Sequence, residues 1–195
     1  MYLVRRTTTG FTIVEIMVAL GIAVFMVTIA AGFVLYGFRA TTFNSEQETA
    51  VVVARRSIDD MSKIIKEARR SERGDYPLAI AAAQNFTFYA DSDNDGSAEK
   101  INYILNGSVL QKTITQPGAD NTYSGSGVTT NIASYITNNA DPVFTYFDGS
   151  NIQTAAINAI RLVHIELRVN VTPEIAPKDY TVITDVNLRN LKDNL

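Results

Sequence analysis

The feature that most constrains this chain is an apolar run near its start, TTTGFTIVEIMVALGIAVFMVTIAAGFVLYGFRA, from Thr7 to Ala40. It follows Arg5 and Arg6 and carries no charge from Ile16 to Phe38, about 23 residues. That is enough for one helix to cross a bilayer core of roughly 30 Å. A secretory signal has a shorter apolar region, of roughly 7–15 residues, with small residues at a cleavage site behind it. No such site stands before Arg39, so the segment is expected to stay on the mature protein. Arg5 and Arg6 ahead of the run favour a cytoplasmic N-terminus, with the rest of the chain facing outward.

Glu15 does not belong in such a run. A carboxylate inside a membrane-crossing helix costs about 2.5–3.5 kcal/mol even on the lenient insertion scale, and such residues as a rule are functional and have a partner. No Lys or Arg stands at helical reach: Phe11, Thr12, Val18 and Ala19 occupy the positions three and four residues away. A cut after Gly10 would change this. The new α-amine on Phe11, with a reference pKa of about 7.7–8.0, would carry much of a positive charge near neutral pH. Glu15 could then pair with the amine of a neighbouring copy of the same helix.

The stretch Gly10-Phe11-Thr12-Ile13-Val14-Glu15 resembles the cleavage site of type IV prepilins and type II secretion pseudopilins. In that family a membrane peptidase cuts after the Gly on the cytoplasmic side and N-methylates the new first residue. The Glu then guides subunit docking. The resemblance implies that Gly10 precedes the cut, Phe11 is the methylated start and Glu15 is the assembly carboxylate. It implies the prepilin peptidase, other pilin or pseudopilin subunits and the inner membrane as partners. The alternative for the same residues is an uncleaved signal anchor with a chance Glu.

Cysteine is absent, so no disulfide staples the outer domain and no thiol chemistry is open to it. Many major pilins of that family close their C-terminal region with a disulfide, so its absence points away from a major pilin. The formal net charge is −3, and nothing in it favours nucleic acid as a partner.

From Arg39 to Arg73 the sequence holds neither Pro nor Gly, and a helix is expected to continue. Val51, Ala54, Ile58, Met61, Ile65 and Ala68 form an apolar stripe at helical spacing. Arg55, Arg56, Lys63, Lys66 and Arg70 lie opposite it. The stripe is expected to pack on the protein's own sheet, a two-stranded coiled coil being the alternative. Gly74 is the expected stop. Within the apolar half, Gly21, Gly32 and Gly37 each weaken the helix by about 1 kcal/mol relative to Ala, but small residues also let helices approach closely.

Beyond Gly74 the period changes from 3.6 to 2. LAIAAAQ, FTFYA, KINYIL, SVLQKTI, VFTYF, IRLVHIELRVN and YTVITDVNL read as strands. Asn106-Gly107 signals a hairpin. Residues 116–140 read as a long surface loop with at most a short helix, and Pro173 and Pro177 bracket a turn. In IRLVHIELRVN, Val163, Ile165, Leu167 and Val169 share one face. The expected fold is α+β and pilin-like: a long N-terminal helix packed on an antiparallel sheet. The expected segments are a cleaved leader over 1–10, a membrane and assembly helix over 11–38, its amphipathic continuation over 39–73 and a β-rich domain over 74–195. FTFYADSDNDG with EKINYIL, VFTYFDG and the terminal VNLRN are similar to J-type minor pseudopilins and PilW-like minor pilins. That likeness implies a subunit priming assembly at a filament tip.

His164, the chain's one histidine, is expected as an exposed strand residue. No Ser-His-Asp arrangement, nucleophile elbow or phosphate-cradling loop stands out, and no enzymatic activity is expected. The stretch with chemistry in it is Asp91-Ser92-Asp93-Asn94-Asp95-Gly96-Ser97-Ala98-Glu99. Its alternating carboxylates match the first half of a calcium loop, with Asp91, Asp93, Asp95, the Ser97 carbonyl and Glu99 as ligands. Asn102 stands where the loop's closing bidentate Glu would be. A solvated turn of ordinary Asp, Asn and Gly residues is the equal alternative. As a whole, the chain reads as a non-catalytic filament subunit. The other reading is a single-span, membrane-anchored extracellular binding domain or a calcium-dependent adhesin.

Overall fold

The structure, a computed structural model, describes residues 10–171 and 179–191, with the backbone alone for residues 39–46. Residues 1–9 of the expected leader, with Arg5 and Arg6, and the expected turn at Pro173 and Pro177 lie outside the described residues. One helix, α1, spans Ile13–Lys66. The chain divides into two units, one ending at Asn44 and the other beginning at Ser45. In the first unit, the 26 residues Ile13–Phe38 are long and apolar enough to cross a membrane, and none of this stretch is buried.

The second unit holds the rest of α1 and eight strands. Five of them, β1 (Leu78–Ala81), β2 (Asn85–Ala90), β3 (Glu99–Asn106), β4 (Val109–Thr115) and β5 (Val128–Ala133), form an antiparallel meander in chain order. The other three, β6 (Phe144–Phe147), β7 (Leu162–Val169) and β8 (Tyr180–Asn187), form a second antiparallel sheet. Where the sequence led to one sheet, the strands divide between two. Of the predicted stripe, Val51 is only half-buried, but Ala54, Ile58, Met61, Ile65 and, just past the helix end, Ala68 are at most 3% exposed. They join Phe86, Phe88, Ile101 and Tyr103 from one sheet and Val163, Ile165, Leu167 and Val169 from the other in one continuous core.

The aromatic residues of β2 tie the two sheets together. Phe86 stacks on Phe88 with centroids 5.0 Å apart, and reaches Phe144 and Tyr146 of β6 at 5.7 and 5.5 Å. Backbone bonds follow the same seam, with the Val143 and Phe144 amides donating to the Ala83 carbonyl. Gln47 of α1 donates to the Val169 carbonyl and accepts from the Val171 amide, fixing the helix to the end of β7.

Three local expectations change. The helix ends at Lys66, well short of Gly74. There the Arg69 amide leaves the helical ladder and donates to the Tyr89 carbonyl of β2. Ser71 Oγ then accepts from the Arg73 and Asp75 amides, competing with the helix as a short hydroxyl side chain does. Gly74, at φ +86°, instead closes the turn that follows, its amide on the Ser71 carbonyl. The β3–β4 hairpin forms where predicted, but Asn106 is paired with Val109, so Gly107 and Ser108 make the turn. Gly107 has φ +60°, as the first central position of a type II′ turn requires.

The third change is β5, which lies inside the segment read as a loop. Thr113 Oγ1 and Thr129 Oγ1 meet across β4 and β5 at 2.8 Å, and Gln111 donates to Asn131. Gly127 lets this edge approach: a Cβ there would fall 2.6 Å from Thr113 Cγ2 and 3.0 Å from the Ile114 carbonyl. Further on, the Ile136–Val169 bridge and the buried Asn138 anchor the segment to β7, Asn138 accepting from the Arg168 amide and donating to the Glu166 carbonyl.

Two outcomes test this core. Phe86→Ala removes the ring shared by both sheets and is expected to cost about 3–5 kcal/mol, measured by denaturant unfolding of the detergent-solubilised chain; a loss below about 1 kcal/mol would contradict the coupling. Burial pushes the Tyr103 hydroxyl up, aided by Asp60, and burial alone pushes up Tyr146. Above pH about 10 the unfolded chain gives up these protons while the folded chain keeps them, so stability held below that pH falls as pH rises. The unfolding midpoint should therefore drop between pH 9 and 11, and less steeply in Tyr103→Phe, which removes one of these titrating hydroxyls and, among the described residues, no hydrogen bond. Equal slopes would remove Tyr103 as a cause.

Candidate functional site

The predicted processing residues sit at the very start of α1. Gly10 and Phe11 precede the helix and are exposed. Thr12 stands just before the first helical residue, and its hydroxyl accepts from the Glu15 amide at 3.3 Å. Glu15 Oε2 in return reaches the Thr12 amide at 3.5 Å. This reciprocal pair is a capping box, satisfying two of the backbone donors that a helix start leaves unpaired. Sequence reasoning treated Glu15 as a residue without a local partner. The signal was present as Thr-x-x-Glu before an apolar run. Phe11, Glu15, Ile16, Ala19, Leu20 and Ala23 line one shallow hollow on this helix. Among the described residues, a Cβ at position 10 would meet no atom within 4 Å.

The acidic residues are brought together between β2 and β3. The strands close at the pair Ala90–Glu99, leaving Asp91 to Ala98 as the loop, with Asn94 and Gly96 at positive φ. Asp91, Asp93, Asp95 and Glu99 each offer an oxygen within 4.8 Å of the others. The Gly96 amide donates to Asp91 Oδ2 (3.0 Å), the Asp95 amide to Asp93 Oδ1 (3.2 Å) and the Ser97 amide to Asp95 Oδ1 (2.7 Å). Of Ser97, then, the amide is seen turned to a neighbouring carboxylate. Glu99 differs from the three Asp residues. β3 alternates inward and outward, and Glu99 falls in register with the buried Ile101, Tyr103 and Leu105. It is wholly buried, with Oε2 accepting from the Ser92 amide and hydroxyl at 2.7 and 2.8 Å.

The segment after α1 closes over this loop. Arg69 Nη1 stands 3.8 Å from Asp91 Oδ2, and its Nη2 donates to the Gly96 carbonyl and to Glu72. Glu72 Oε1 accepts from the Ala98 amide at 2.7 Å. Tyr123 donates to the Ala98 carbonyl at 2.6 Å and accepts from the Glu72 amide, while its ring packs on Tyr89 with centroids 5.0 Å apart. Desolvation raises the Tyr123 pKa and keeps this hydroxyl protonated, as the donor role needs. Elsewhere, His164 faces outward from β7 but is only partly exposed, its Nδ1 2.7 Å from Asp185 Oδ1 on β8.

No protein-family profile and no curated protein matches this sequence. In structure, the chain is similar to a chain of the GspK-GspI-GspJ complex of the type 2 secretion system from enterotoxigenic Escherichia coli. The likeness has a TM-score of 0.50 at 10% identity and covers 72% of this chain and 97% of that one. The fold is therefore pseudopilin-like, an α+β arrangement of an N-terminal helix and antiparallel sheets.

Proposed function

We propose that this chain is a non-catalytic subunit of a type IV pilus or type II secretion pseudopilus. It is inserted in the inner membrane, cut after Gly10 by a prepilin peptidase, N-methylated at Phe11 and polymerised through its N-terminal helix with other pilin or pseudopilin subunits. As a J-type or PilW-like minor subunit it primes assembly at the filament tip. The observation that carries this reading is the fully exposed apolar helix Ile13–Phe38, headed by a carboxylate five residues past Gly10. The pseudopilin-like fold agrees.

The capping box favours a second reading, in which Glu15 only secures the start of an uncleaved helix. The chain would then be a single-span anchor carrying an extracellular binding domain or adhesin. Mass spectrometry of the chain taken from membranes separates the two. The expected mature form begins at N-methylated Phe11, and Gly10→Arg is expected to leave residues 1–10 attached. A chain still starting at Met1 or Tyr2 would overturn the proposal.

Assembly depends on the charge of Glu15, not on its capping bond. Gln keeps the capping geometry and loses the charge. Glu15→Gln and Glu15→Ala are both expected to insert and be cut, since losing a charge eases insertion. Both should co-purify with the other minor subunits roughly 10–100-fold less, the range for a charge-assisted bond of about 1.5–3 kcal/mol. Wild-type recovery of Glu15→Gln alongside loss in Glu15→Ala would assign Glu15 to the helix cap and refute the pairing.

A further inference from the structure

We propose that the loop between β2 and β3 is a calcium site whose anchoring ligand is the buried carboxylate of Glu99. Acidic residues in a turn carry little weight by themselves; the decisive atom is Glu99 Oε1. It belongs to a residue with no exposed surface and has no hydrogen-bond partner among the described residues, and Asp91 Oδ1 is likewise buried and unpartnered among them. An ionised carboxylate accepts on both oxygens. Leaving one of them dry and bare is costly, and a buried charge is normally paired or bound to a metal. Glu99 cannot turn away, because β3's register, fixed by Ile101, Tyr103 and Leu105, holds it on the inward side.

The surrounding charge calls for a cation. Four carboxylates converge here, and the guanidinium that meets them, Arg69, is shared with Glu72. The donors are all oxygen, a set that suits hard cations and not zinc or copper. Oxygens around one calcium, at 2.3–2.6 Å each, lie at most about 5 Å apart, and the four carboxylates offer theirs within 4.8 Å. Hydrogen bonds from backbone amides orient Asp91, Asp93 and Asp95. The Ser97 carbonyl and water complete the shell of six to eight oxygens that calcium takes. An irregular loop meets calcium's flexible geometry more easily than the strict octahedron of magnesium.

The test uses the full chain in detergent, stripped with chelator and titrated with calcium chloride by calorimetry and by thermal melting. One ion per chain is expected, with a dissociation constant of order 10⁻⁴–10⁻³ M or tighter. Near 100 times that constant the melting temperature should rise by about 5–10 °C. Glu99→Gln should abolish both signals. Asp93→Asn, an exposed position whose change leaves the core intact, should weaken binding by about tenfold or more. Absence of saturable heat at millimolar calcium, full affinity in Asp93→Asn, or an equal melting shift with magnesium chloride would each overturn the proposal.

Discussion

The physical constraint behind the rest of this structure is that none of the apolar stretch Ile13–Phe38 is buried among the described residues. Burying one Val, Leu, Ile or Phe side chain yields about 1.5–3 kcal/mol, and this stretch exposes many of them, from Ile13 and Val14 to Leu35 and Phe38. Such a surface is costly in water and is better accommodated against lipid or neighbouring helices. In either apolar surrounding, backbone donors at the helix start become expensive to leave bare. The Thr12–Glu15 capping box meets that need from within the helix. Glu15 thus has a local role in the helix cap, and the proposed role between subunits differs from it in requiring charge.

The unit from Ser45 onward solves a different problem with the same helix. There α1 needs only an apolar stripe, and its charged side remains in solvent. The stripe is narrow and rich in small residues, Ala50, Ala54 and Ala68 among them, so bulk has to come from the strands. β2 supplies it. Its residues from Phe86 to Ala90 are all buried, Phe86 and Phe88 against the core and Thr87 and Tyr89 beneath the Asn102 side chain and the Tyr123 ring. A strand covered on both faces in an antiparallel sheet needs a second layer. Here the layer is the segment carrying Tyr123, which the sequence presents only as a polar loop.

What the sequence made legible follows from how each signal is written. The α1 stripe and the alternation of β7 were readable because one face is buried and the other wet. β5 was hidden for the converse reason. Val128, Thr129, Thr130 and Asn131 are all exposed, so no buried face imposes a period of two, and the strand is held by Thr and Asn side-chain pairs. The helix end was misplaced because Gly74 looked like a stop, while the actual terminator, capture of the Arg69 amide by Tyr89, is a tertiary contact. Gly10, Phe11 and Glu15 stand together at the start of α1, as their spacing in the sequence implies. The capping box was legible in Thr12-Ile13-Val14-Glu15 but was overshadowed by the question of a distant partner. Division of the strands into two sheets could not be read locally, since it depends on which edges meet after a long connection.

The acidic loop shows where a motif reading and a register reading part. As a motif, Asp91 to Glu99 is a turn of common turn residues, and its likeness to a calcium loop fails at Asn102. As part of β3, Glu99 is the first residue of an inward row that continues with Ile101, Tyr103 and Leu105. The pattern Glu-Lys-Ile-Asn-Tyr-Ile-Leu already contained this placement, because a period of two puts Glu99 on the side of Ile101. Asn102, by the same rule, points to the opposite face, where it bonds Asn85 and Thr87. It was never in a position to close the loop's ligand shell. Its mismatch with the motif is therefore no argument against an ion, and the buried oxygen of Glu99 becomes the feature any account of the loop has to satisfy.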